Sequence, residues 1–154
     1  MMPGCAEQAP APTQQHTADE AMPRTTITVA GVPIEVELAL NNEDRHRGMG
    51  GRESLAENAG MLFVFPNATY RNFWMKDCLI GLDIIYITSS GKVSSIHTLP
   101  APPPGTPDRE LPAAQSVGPA QFVLELNAGR AAALGLDEGD IIDMPMAQLK
   151  RRAK

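Results

Sequence analysis

The chain has 154 residues, of which 43% are hydrophobic and 20% charged, with a net charge of -5. That apolar share excludes a chain disordered throughout, and the lack of ~18 consecutive apolar residues excludes a membrane-spanning helix in the sequence as it stands. An acidic balance (pI near 5.1) speaks against a nucleic-acid-binding surface. The charge is uneven: residues 25–147 carry a net -7, while Lys150, Arg151, Arg152 and Lys154 make the end basic. The expected organisation is a disordered tether over 1–24, one β-rich domain over 25–147 and a solvated basic tail over 148–154.

Residues 1–24 are rich in Ala, Pro, Gln and Thr and poor in large apolar side chains. Such a segment cannot bury enough surface to offset its ordering entropy. Gly4-Cys5-Ala6 before this polar tract is similar to the cleavage region of a bacterial lipoprotein. In that reading Cys5 carries the lipid and the chain is anchored at the cell envelope. The apolar segment that such a signal needs does not precede Gly4, and without one upstream the expected compartment is the cytoplasm. The only cysteines are Cys5 and Cys78, and with one in a tail and the other in an apolar run they are expected to stay unpaired.

In chain order, Thr25 to Val29 and Ile34 to Leu40 alternate apolar and polar residues around Ala30-Gly31-Val32-Pro33. This predicts a hairpin with one wet face. A short helix is expected over 42–47, capped by Asn41 or Asn42 and ended by Gly48, with acids first and bases last. Gly60 to Pro66 is continuously apolar and reads as a strand buried on both faces. Asn72 to Lys76 reads as a short extended segment, and Leu82–Thr88 with Lys92–Leu99 as a second hairpin. Six prolines between 100 and 112 predict a stiff loop. A strand is expected over 121–126, a helix over 128–134 capped by Gly135, and a last strand over 141–144. The fold expected is mainly β (β-rich α+β): a compact, mostly antiparallel, barrel-like domain with two or three short helices.

These segments resemble, in order, the domain-of-unknown-function family 192, also called uncharacterised protein family 0127. Arg45, Arg47 and Gly48 fit its "R-x-x-G-L-M" turn, and Gly60 to Phe65 its "G-M-L-F-x-F". Phe73 to Ile84 fits "F-W-M-K-N-T-x-x-P-L-D-I", and Phe122 to Gly129 fits "Y-V-L-E-L-x-A-G". The resemblance implies a compact β-rich domain, typically of bacteria and archaea, often behind a signal peptide or membrane anchor, with no settled reaction. The chain departs from the family pattern at Met49-Gly50, Asp77-Cys78 and Gly81.

Phe73, Trp74 and Met75 are costly to expose, whereas Lys76 and Asp77 are costly to bury unpaired. The mixture suggests the edge of a ligand site, or else a structural turn. Asp83 lies between apolar residues and needs a partner, for which Arg47, Arg52 and Lys76 are candidates. Glu125 poses the same question; its alternation could place it outward with Val123. The candidate ligand-binding set is therefore Arg47, Phe73, Trp74, Lys76, Asp77 and Asp83. No catalytic residue, metal ligand or cofactor is assigned. Cys78 lacks an evident activating base, and Met49, Met61, Met75, His46 and His97 show no ligand spacing. The functional expectation is a monomeric, non-catalytic, envelope-associated domain that binds a small ligand or a protein partner and no nucleic acid. The alternative is a hydrolase or lyase using Asp77 or Asp83 with Lys76 or Arg47.

Overall fold

A computed structural model describes residues 22–154; Cys5 and residues 1–21 of the expected tether lie outside them. The first hairpin forms from β1 (Arg24–Val29) and β2 (Val32–Ala39). Its two turn residues are both left-handed, Ala30 at φ 50° and Gly31 at φ 80°. That pair of conformations matches the right-handed twist of the strands it joins. Helix α1 (Asn42–Arg47) starts at Asn41, whose side chain accepts from the Asp44 amide, and ends at Gly48.

Strand β3 (Ala59–Thr69) sits in the interior of a six-stranded sheet of order β1-β2-β3-β8-β5-β6. Its neighbours are β2, in parallel, and β8 (Ala120–Asn127), antiparallel. The other pairs, including the hairpin of β5 (Leu82–Ile87) with β6 (Val93–Leu99), are antiparallel. Both faces of the sheet are covered, which is why β3 reads as an unbroken apolar run. Leu62 and Val64 join one core with Ile34, Val36, Ile85 and Leu124. Met61, Phe63 and Phe65 join a second with Met49, Phe73, Met75, Tyr86 and Val123.

The second core is closed by a separate ribbon of β4 (Asn72–Trp74) and β7 (Ala113–Gln115). Tyr86 ties this ribbon to the sheet. Its hydroxyl accepts from the Phe73 amide (3.1 Å) and donates to the Ala114 carbonyl (2.6 Å).

The mainly β, mostly antiparallel class is as the sequence indicates, but the sheet is not closed into a barrel. Its edges are β1 and β6. The segment expected as a last strand forms only isolated bridges, Thr28 of β1 with Asp143, and Lys92, just before β6, with Ile141. Helix α2 (Arg130–Leu134) ends on left-handed Gly135, as expected. The basic end is no free tail: Met146–Arg152 forms helix α3, whose Leu149 is 1% exposed within the first core.

Candidate functional site

The residues singled out by sequence do not converge. Asp83 is 1% exposed, and its carboxylate accepts from the Thr98 hydroxyl (2.6 Å) and the amides of Gly129 (3.0 Å) and Ala131 (2.8 Å). It thus anchors the start of α2 to the sheet, and none of the expected partners Arg47, Arg52 or Lys76 reaches it. Arg52 instead grips Glu37, and Arg47 pairs with Asp44 one turn away at 2.6 Å.

Phe73 is fully buried, edge-on to Phe63, Phe65 and Tyr86 at 5.0, 6.3 and 5.8 Å. It is a core residue rather than a cleft wall. Trp74 and Lys76 do meet, with the ammonium 5.5 Å from the indole centroid. That ammonium also binds Asp108 of the proline-rich loop at 2.8 Å, so the pair pins the loop. The Trp74 Nε1 is buried with no hydrogen-bond partner among the described residues. Asp77 is exposed and left-handed (φ 59°), and its carbonyl accepts from the Gly51 amide at 2.9 Å. Cys78 is buried and disulfide-bonded, which corrects the expectation that it stays unpaired. Glu125 is not outward. It is fully buried between Met61 and Ile84 on the neighbouring strands, with neither oxygen hydrogen-bonded among the described residues, and burial raises its pKa to about 8.

A cavity of about 310 Å³ opens elsewhere, between α1 and the end of β3. One wall is Asn42, Arg45 and His46 of α1. The other is Phe65, Pro66 and Asn67 of β3 with the following Arg71, and Lys154 borders both. Arg45 is 3% exposed; its guanidinium donates to the Val64 carbonyl (2.8 Å), Asn42 Oδ1 (2.7 Å) and the main-chain oxygen of Lys154 (2.6 Å). Arg71 donates through Nε to the Ala120 carbonyl (3.0 Å) and through Nη2 to the carbonyl and Oδ1 of Asn67. Both guanidinium groups lie against the Phe65 ring, 5.0 and 3.5 Å from its centroid. Neither makes a salt bridge to an acidic side chain among the described residues. Burial, and then the charge of Arg45, lower the Arg71 pKa to about 10; burial lowers that of Arg45. Both remain cations at neutral pH.

The sequence offered one signal for this site. Asn42, Arg45 and His46 stand at i, i+3 and i+4 on α1, so they share a face that Arg47 does not. Arg71, in the connection between β3 and β4, carries no pattern of its own.

Residues 25–144 match the family DUF192, described as Uncharacterized ACR, COG1430. The chain belongs to DUF192. No curated protein matches it. Two crystal structures resemble this DUF192 chain. One, from Sinorhizobium meliloti 1021, is described as a proposed transcription regulator. It is 32% identical, with a TM-score of 0.66 over 78% of this chain and 91% of the other. The second, a protein of unknown function from Novosphingobium aromaticivorans DSM 12444, is 28% identical, with a TM-score of 0.64 over 85% and 99%. Several residues that carry the DUF192 motifs here have plain structural duties. Phe73 fills the second core, Asp83 anchors α2, and Gly60 lets β8 pass close by. Arg45 and Phe65 are motif residues that also border the cavity.

Proposed function

We propose that this DUF192 chain is a monomeric, non-catalytic ligand-binding domain of the cell envelope. The observation that carries the reading is the cavity between α1 and β3, where one buried and one half-buried guanidinium group face a space of ligand size and neither forms a salt bridge to an acidic side chain among the described residues. Defined concavity favours a small ligand over a flat protein partner. The hydrolase or lyase alternative loses one of its two candidate bases, because the Asp83 carboxylate is spent on Thr98 and two backbone amides, and the other, Asp77, is exposed and does not line the cavity. The regulator description of the Sinorhizobium meliloti neighbour gains no support from a chain with a net charge of -5.

The disulfide at Cys78 supports an oxidising compartment. With only two cysteines in the chain, an intramolecular bond to Cys78 and a lipid on Cys5 exclude one another. The bonded Cys78 therefore favours an exported domain without that anchor. Alkylation of protein from its native host, followed by intact mass measurement before and after reduction, separates the cases. A mass without lipid and two thiols released on reduction are expected; a lipidated Cys5 or two free thiols overturns this part of the proposal.

Binding is tested by thermal-shift titration with sugars, short peptides, metal ions and small anions. A ligand that binds only the folded state at 100 times its Kd stabilises by about 2.7 kcal/mol. A saturable rise in Tm with one compound class is expected. The binding reading fails if no class stabilises the protein.

A further inference from the structure

Resting on that binding reading, we infer that the cavity between α1 and β3 is an oxyanion site, which takes the carboxylate or phosphate group of a small ligand. Two of its polar side chains, Asn42 and Asn67, already use their carbonyl oxygens as acceptors. Asn42 Oδ1 accepts from Arg45 and Asn67 Oδ1 accepts from Arg71, so both amide nitrogens are left to donate. Arg71 uses Nε and Nη2 on carbonyl and amide oxygens, and its Nη1 makes no hydrogen bond among the described residues. The remaining hydrogen-bonding capacity of these four side chains is thus mainly donor capacity. Two guanidinium groups share the Phe65 ring and repel one another, and a bound anion would offset that repulsion. A planar fork matches the two oxygens of a carboxylate or phosphate. Because Arg71 lies 3.5 Å over the Phe65 ring, that face is not open for stacking, and recognition rests on charge and hydrogen bonds. The Arg45 fork already holds one such oxygen, that of the terminal residue Lys154 at 2.6 Å, which leaves Arg71 as the fork for the ligand.

The full chain is titrated by calorimetry with inorganic phosphate, acetate and citrate, with glucose as a neutral control, at low and high NaCl. Saturable binding of phosphate or a carboxylate is expected, weakened by salt and absent for glucose. Arg71→Gln should lower affinity at least tenfold, and Arg71→Lys, which keeps charge without the fork, less. Arg71 also holds Ala120 and Asn67, so the wild-type protein provides a second readout: arginine side-chain nitrogen resonances should move with phosphate or carboxylate and not with glucose. Unchanged affinity in a folded Arg71→Gln protein, or arginine resonances that stay still, overturns the oxyanion site. If a neutral or cationic compound from the wider screen binds while no oxyanion does, the ligand class is wrong but the binding domain stands. If nothing binds, both fall.

Discussion

Asp77 shows how a single residue departs from its family pattern at a measurable cost. It is exposed and held at φ 59° because its carbonyl must receive the Gly51 amide. Left-handed backbone is disfavoured for side-chain-bearing residues, and Asn tolerates it better than most. The resembling motif has Asn at this position. Asp77→Asn should therefore leave binding unchanged and raise stability by at most ~0.5 kcal/mol, measured by urea denaturation. Asp83 is the opposite case. Its three hydrogen bonds leave the Thr98 hydroxyl and two amides needing new partners if it is truncated. Asp83→Ala should cost about 3 kcal/mol of stability, and the same urea experiment reads it. A loss of ligand binding in a variant that keeps full stability would contradict this structural role.

At the scale of elements, Gly60 explains a motif glycine without invoking a turn. A Cβ there would lie 2.5 Å from the Glu125 carbonyl oxygen and 2.7 Å from Leu126 Cδ2 on β8. Strands β3 and β8 can approach only because that atom is missing. Gly60→Ala should destabilise by more than 2 kcal/mol, comparable to an overpacked core, and thermal unfolding measures it. The first hairpin and α1 were legible from alternation and capping, since both are local signals. Strand β7 was not. Ala113–Gln115 has three residues and no period, and it is a strand only because β4 and Tyr86 offer it partners. Helix α3 was hidden for a related reason: its charge pattern suggests a solvated end, and only Leu149 and the partly buried Met146 carry its packing signal. Within α1 the sequence pointed to Arg47, but burial falls on Arg45.

For the whole molecule, the decisive feature is a sheet covered on both sides. The alternation that sends Leu124 to one core sends Glu125 to the other rather than to water. Burial raises the Glu125 pKa to about 8 from an ordinary value of 4.5, so the folded protein keeps a proton that the unfolded chain loses between those values. The unfolded state then binds fewer protons, and stability falls as pH rises through this window, by at most about 1.4 kcal/mol per pH unit from this group. The contribution is complete below pH 4.5 and gone above 8. Glu125→Gln should flatten the difference curve between pH 5 and 8 and leave the variant more stable than the parent at pH 8. Parallel curves would show that the carboxyl is not buried in the protonated form.

Local chemistry written in the sequence determined the strands β1 to β6 and β8, the helices α1 and α2, the stiff proline loop and the DUF192 motifs. Period, caps and turn residues act over a few positions and need no knowledge of the rest of the chain. Tertiary structure alone decided that the sheet stays open and that Phe73 is core. It also decided that Asp83 holds a helix and that Arg45 and Arg71 meet over Phe65. Each depends on which distant segments come together across the sheet, and that is set by packing two cores at once, a constraint with no local period to read.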